Sequence, residues 1–333
     1  MMQYLPWLVS AGVDVTVAPF FSDTYVLGLQ QNNRRWGDVV QAYAGRIKSL
    51  LRSTSFDLIW IEKEIFPWLP AWVEQALLSS RVPYVLDYDD AVFHYYDLHR
   101  NSVVRALLGD KHPEMMRSAA LVIAGNAYLA SYANQAGAKH IEVVPTVIDL
   151  DRYPMQTHPI APTMPPCVGW VGQRATESFL VPFQSLFERL VASGVARFSA
   201  IGIDARSLGL AMESVPWTEQ TEVESIASFD IGIMPLVDEP FERGKCGYKL
   251  IQYMACGLPV VASPVGVNRQ LVEHGVNGFL AETADQWEQA LQTLLADGNL
   301  RQRMGKAGRL KVEQQFCIQV TGPKLAVLLA TAF

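Results

Sequence analysis

The sequence predicts an α/β fold of two Rossmann-like halves with a ligand cleft between them. Three observations carry this reading. Short apolar runs alternate with helical patterns along the chain, the mark of βαβ units on a parallel sheet. The length, 333 residues of which 50% are hydrophobic, suits two cores rather than one and excludes global disorder. A proline-dense stretch, 153–166 (YPMQTHPIAPTMPP), falls near the middle, and proline removes donors and fixes φ, so regular structure stops there. It reads as a linker between a first half, residues 1–152, and a second, residues 167–309, with 310–333 closing the chain.

The chain opens on a helical pattern, Gln3–Ser10, where a Rossmann half should open on its central strand. The alternating run Val13–Ala18 reads as the first strand present. Further strands are expected at Leu58–Ile61, Tyr84–Leu86, Leu121–Ala124 and Glu142–Val144, with amphipathic stretches at Trp36–Arg52 and Pro70–Ser79. In the second half, strands are expected at Val168–Val171, Arg197–Ile201, Ile231–Met234 and Pro259–Ala262. Helices are expected at Glu177–Ala192, Glu222–Ser228, Tyr248–Ala255 and Asp285–Leu295.

Composition removes several function classes. The formal net charge is −6, and no basic stripe marks a nucleic-acid partner. The 4 cysteines, Cys167, Cys246, Cys256 and Cys317, lack C-x-x-C spacing and read as buried thiols of a reducing cytoplasm. No apolar run has the length to span a bilayer, and the N-terminus lacks the basic region of a signal peptide. A cytoplasmic protein is expected, with peripheral contact at the inner face of the membrane left open. There is no G-x-S-x-G elbow, no P-loop and no G-x-G-x-x-G opening a βαβ unit. The histidines show no metal spacing.

Residues 243–266, RGKCGYKLIQYMACGLPVVASPVG, are the most informative segment. Leu250, Ile251, Met254 and Ala255 fall at helical spacing, Gly257 suits a left-handed helix cap, and Pro259–Ala262 suits a strand buried on both faces. The loop that follows offers backbone N–H groups and a helix start to a phosphate. The run YMACGLPVVASPVG resembles the donor-binding segment of GT-B glycosyltransferases of family 4, the glycosyl transferases group 1. That resemblance implies a GT-B fold, with the C-terminal segment ending in a helix packed back toward the first domain. It covers about Val168 to Arg309 well and the first half more loosely. Relatives place a strand and a Gly-containing loop ahead of the equivalent of Gln3, so the resemblance implies a truncated or misassigned start, or a degenerate copy.

The resemblance also implies site residues. The diphosphate of a nucleotide sugar is expected on Gly266, Val267 and Asn268, with Asn268 capping a helix Arg269–Glu273, and on the basic residues Arg243, Lys245 and Lys249. Lys245 is also the catalytic cation that neutralises the leaving diphosphate. In the family's E-x7-E element, Gln252 stands at the second carboxylate, where an amide can still meet ribose hydroxyls; Gly244 stands at the first, and Glu242 lies two residues upstream. The turn Gly172–Thr176 lines the cleft, with Arg174 near the family's diphosphate arginine and Thr176 capping the next helix. Gly202 and Trp217 face the base, the indole as a stacking platform. In the first half, Asp87 and Asp90 follow a strand's carboxyl end and are the catalytic candidates there, as hydroxyl ligands or as the acceptor's base. Glu62, Glu64, Asn126, His94 and His99 are further acceptor-side residues, and Asp149 an organiser of the hinge. Asp87-Tyr88-Asp89 matches a metal-binding D-x-D literally, but no metal is expected in a GT-B setting and no cofactor beyond the donor substrate.

The expected function is a retaining hexose transfer from a UDP- or GDP-linked sugar to a saccharide or lipid-linked acceptor, in cell-surface polysaccharide or glycoconjugate assembly. The alternative is a catalytically weak or inactive GT-B subunit that binds sugar nucleotide or a partner, which Gly244 favours. A GT-B sugar-nucleotide epimerase is a third reading, without motif support.

Overall fold

The computed structural model describes residues 2–30, 35–78, 82–155 and 164–331. The chain divides into two compact units: Met1–Val144 with Lys324–Phe333, and Pro145–Pro323. The division falls at Val144/Pro145, ahead of the proline-dense stretch expected to be the linker. Residues 156–163 of that stretch lie outside the described residues, and Tyr153 at its start is buried in the second unit.

The first unit carries one parallel sheet in the order β1-β2-β3-β4, made of β1 (Ile59–Glu62), β2 (Tyr84–Tyr88), β3 (Leu121–Ala124) and β4 (Ile141–Val143). Helices Trp36–Leu51, Ala71–Leu77 and Ala127–Ala136 accompany it. The helix at the start is confirmed as Leu5–Ser10, with Met2–Tyr4 as a 3₁₀ turn. Val13–Ala18 is not a strand. Alternation specifies which way side chains point, whereas a strand also needs a ladder partner, and among the described residues β1 pairs with β2 alone.

The second unit is a six-stranded parallel sheet in the order β10-β9-β8-β5-β6-β7. Its strands are β5 (Cys167–Val171), β6 (Arg197–Ile201), β7 (Glu213–Val215), β8 (Ile231–Met234), β9 (Val260–Ala262) and β10 (Gly278–Leu280). Within the unit this is the doubly wound 3-2-1-4-5-6 order, and the order reverses between β5 and β8. Both faces are covered, so the strands read as continuous apolar runs. Alternate residues divide between two cores: Cys167, Val171, Met234 and Val260 face the helix Tyr248–Ala255, and Val168, Trp170, Ile233 and Val261 face the helices Gln184–Ala192 and Ala284–Ala296. The edge strands β7 and β10, three residues each, were not expected from the sequence.

Candidate functional site

Ligands of doubly wound sheets bind beyond the carboxyl ends of the strands, where the order reverses. In the second unit those ends carry Gly172 after β5, Gly202 after β6 and Trp217 two residues after β7. The β5 and β6 ends meet so closely that a Cβ at Gly202 would lie 2.3 Å from the Gly172 carbonyl oxygen. Gly202 also has φ +90°, a conformation L side chains rarely adopt, so glycine is required there twice over. Trp217 lies beside this junction, half exposed, and its indole N–H donates to Glu222 Oε1 at 2.8 Å. A pinned, solvent-facing indole can stack on a planar ligand.

Helix Tyr248–Ala255 follows the turn Lys245–Gly247 and brings Lys249 to the same place. Lys249 Nζ rests 4.1 Å from the centre of the Trp170 ring and donates to Thr176 Oγ1 at 3.3 Å. Burial, then the neighbouring charge of Lys245, push its pKa down to about 7. Lys245 itself lies over the Phe241 ring at 4.8 Å. The structure thus gathers Gly172, Thr176, Gly202, Trp217 and Lys249 at one end of one sheet, with Lys245 in electrostatic reach.

Other expected donor residues are placed differently. Thr176 does not cap a helix: the chain runs as 3₁₀ helix over Arg174–Phe183, Gln173 holds the cap position, and the Thr176 hydroxyl turns back to the Gln173 carbonyl at 3.1 Å. Arg174 is exposed. Gln252 points inward rather than out to solvent. It is buried, and its Nε2 donates to the Tyr153 hydroxyl at 2.8 Å, because the helix is enclosed along its length from Leu250 to Ala255. Asn268 is not a cap either. The helix is only Asn268–Leu271, its cap position is Val267, and the Asn268 amide donates inward to the Ser263 carbonyl at 3.1 Å. So short a helix offers no dipole worth the name. Gly266 and Val267 are placed against the basic turn: a Cβ at Gly266 would lie 2.4 Å from the Arg243 carbonyl oxygen, and Val267 is buried. The Arg243 side chain ion-pairs with Asp238 at 2.7 Å on the surface.

In the first unit, Asp87 lies within β2 rather than past it, opposite Glu62 in register. It accepts from the Trp60 indole at 3.2 Å, and burial, with Asp89 and Glu62 nearby, pushes its pKa up to about 7. Asp89 pairs with Lys63 at 2.8 Å. Asp90 accepts the Val92 amide with its backbone carbonyl. Glu64 is committed inward: it receives Lys111 Nζ at 2.5 Å and the Tyr96 hydroxyl at 2.9 Å, while Lys111 also pairs with buried Glu74 at 3.0 Å. Asn126 caps the helix Ala127–Ala136 through Leu129 N, and Asp149 caps a 3₁₀ turn. His94 bridges Asp97 and Tyr128, each at 2.8 Å. Among the described residues no three histidine, cysteine or acidic side chains gather as a metal site would require. No helix among them is long and apolar enough to cross a membrane.

Sequence reasoning missed Trp170, Glu222 and Tyr153. Trp170 reads as core, and only the fold puts a lysine on its ring. Glu222 stands five residues after Trp217, a spacing with no helical meaning until the turn between them is known.

Comparisons with known proteins fit this geometry. The family model described as glycosyl transferases group 1 matches residues 166–297. N-acetyl-alpha-D-glucosaminyl L-malate synthase of Bacillus anthracis is 37% identical over 78 residues, 22% of this chain and 20% of that protein. D-inositol 3-phosphate glycosyltransferase of Thermobispora bispora is 32% identical over 139 residues, 40% of this chain and 31% of that protein. The matches thus span about a fifth to a third of these relatives. Among solved structures, sucrose-phosphate synthase from Thermosynechococcus elongatus has a TM-score of 0.67 at 18% identity, covering 87% of this chain and 78% of that one. Anabaena HepE, in complex with UDP and glucose, has a TM-score of 0.66 at 20% identity, covering 94% and 90%. The fold is that of the GT-B glycosyltransferases, two Rossmann-like units.

Proposed function

We propose, from a second unit that carries the match to glycosyl transferases group 1, that this chain is a hexosyltransferase using a nucleotide diphosphate sugar. The observation that carries the proposal is the cationic end of the helix Tyr248–Ala255. Lys249 and Lys245 stand at the carboxyl end of a doubly wound sheet, and no carboxylate pairs with Lys249 among the described residues. Cations in that position suit a diphosphate, whose negative charge grows as the sugar C1–O bond breaks. The exposed Trp217 ring beside Gly202 offers the base a face to stack on. That HepE was crystallised with UDP-glucose supports UDP as the first donor to try, with GDP sugars second.

In this reading the transfer is retaining and needs no bound metal, because the lysines carry the electrostatic load. The acceptor is a saccharide or lipid-linked saccharide of cell-surface polysaccharide or glycoconjugate assembly, used at the cytoplasmic side. Asp87 is the acceptor-side candidate, since a carboxyl pushed up to about 7 sits where a general base works best at neutral pH. Asp90 and Lys245 keep supporting roles, as hydroxyl ligand and as the second diphosphate cation.

The second reading, a sugar-nucleotide-binding subunit without turnover, is favoured by two residues. Gly244 offers no carboxylate to the sugar, and the Gln252 side chain is buried against Tyr153. Release of UDP or GDP from the matching sugar nucleotide, with and without mixed saccharide acceptors, separates the two. Turnover abolished by Lys249→Met supports transfer, and binding without any nucleotide release supports the subunit.

A further inference from the structure

A cation that serves a diphosphate must be charged when the ligand is bound, yet burial and the neighbouring Lys245 favour the neutral amine at Lys249. Its Nζ is held by the Trp170 ring face and one hydroxyl, Thr176, and a Cβ at Gly172 would lie 2.7 Å from it. Neither partner is an anion. The charged groups on the elements around it are Lys245 in the preceding turn and Arg174 and Glu177 on the 3₁₀ segment. Lys245 is the one whose charge acts on it, and that charge is repulsive. Partial burial with one hydroxyl costs the ammonium hydration that the attraction of the Trp170 ring repays only in part. A negative ligand seated against Nζ would favour the ammonium.

We infer that Lys249 is the proton-loading cation of the donor site, taking up a proton from solvent as the diphosphate of a nucleotide sugar seats against it. The inference rests on the donor reading above. The step balances simply: the Nζ lone pair accepts one proton from buffer, no bond in the donor breaks, and the new ammonium pairs with a diphosphate oxygen. Burial and Lys245 hold the free amine's pKa at about 7, and the anion returns it toward the ordinary lysine range. Above neutral pH the donor therefore binds together with a proton, and affinity falls by up to about tenfold per pH unit as pH rises. Below neutrality the proton is already there and affinity is flat.

The test is calorimetric titration with UDP-glucose and GDP-mannose, whose diphosphates exchange no proton in this range, in pairs of buffers of different ionisation enthalpy. The whole chain is used. For whichever nucleotide sugar binds, the expected uptake is the larger part of a proton at pH 8 and a small fraction of one at pH 6. Lys249→Arg, permanently charged, is expected to bind with no uptake at either pH. Lys249→Met is expected to lose both the uptake and at least about tenfold in affinity. Binding by the unsubstituted chain without uptake at pH 8, or uptake that survives in Lys249→Arg, overturns the inference and leaves the donor site standing. No binding of either nucleotide sugar overturns the donor reading and the inference with it.

Discussion

The two units place a parallel sheet among helices, but they order it differently. In the second unit the strands run β10-β9-β8-β5-β6-β7, and the reversal between β5 and β8 opens a place where helix starts and loop glycines converge. In the first unit the order is β1-β2-β3-β4, with no reversal among the described strands. The ends of the two sheets differ in the same sense. The second unit leaves the partly buried Lys249 without an acid among the described residues, whereas in the first Lys111 is closed between Glu64 and Glu74. Unpaired charge marks a place for a ligand, and paired charge marks a place that the fold itself has filled.

The largest expected effect breaks the paired side. Lys111→Met leaves Glu74 buried beside Glu64 without its ion-pair partner and is expected to destabilise the first unit by about 3–5 kcal/mol in denaturant unfolding. Adding Glu74→Gln to it should recover part of that loss, because a neutral amide costs less to bury than an unpaired carboxylate. A double substitution no better than the single one would show that packing, not charge, is what Lys111 supplies.

The next effect separates an inward amide from a ligand amide. Gln252→Ala removes the partner of a buried tyrosine hydroxyl and is expected to lower stability by about 1–3 kcal/mol while donor affinity stays within about twofold. A large loss of affinity with stability intact would restore Gln252 to the ribose. Trp217→Ala is expected to behave the opposite way, with stability nearly unchanged and donor affinity down by about 1–3 kcal/mol as the base loses its stacking partner.

These two residues also show what was legible in the sequence. The helix Tyr248–Ala255 and the strand after it fell where the pattern put them, since apolar spacing and the Cys256-Gly257 stop are local signals. Gln252 was assigned from its place in a motif, and a motif does not say which way a side chain points in a helix enclosed from Leu250 to Ala255. Val13–Ala18 failed for the complementary reason: strand pairing is a long-range property, and no ladder forms there. The contact between Lys249 and Thr176 joins residues 73 apart, which no spacing rule reaches.

A smaller effect is pH-dependent. Lys249 has its folded pKa lowered, so between pH 7 and its ordinary value the unfolded chain binds more protons than the folded one. Its contribution to stability is therefore most adverse below pH 7 and is relieved as pH rises through that window. Lys249→Met should remove this slope and raise the second unit's unfolding midpoint at neutral pH, by about 2–4 °C for each kcal/mol relieved. The smallest effect is that of Arg174→Ala: the side chain is exposed, and stability should move by less than about 0.5 kcal/mol.

The contrast between filled and unfilled charge is tested most directly at Lys249. The decisive measurement is the affinity of Lys249→Met for whichever of UDP-glucose or GDP-mannose binds the unsubstituted chain, taken beside its unfolding midpoint. Affinity reduced at least about tenfold with the midpoint held or raised is the predicted result. Unchanged affinity in a folded variant would contradict it and move the donor away from this end of the sheet.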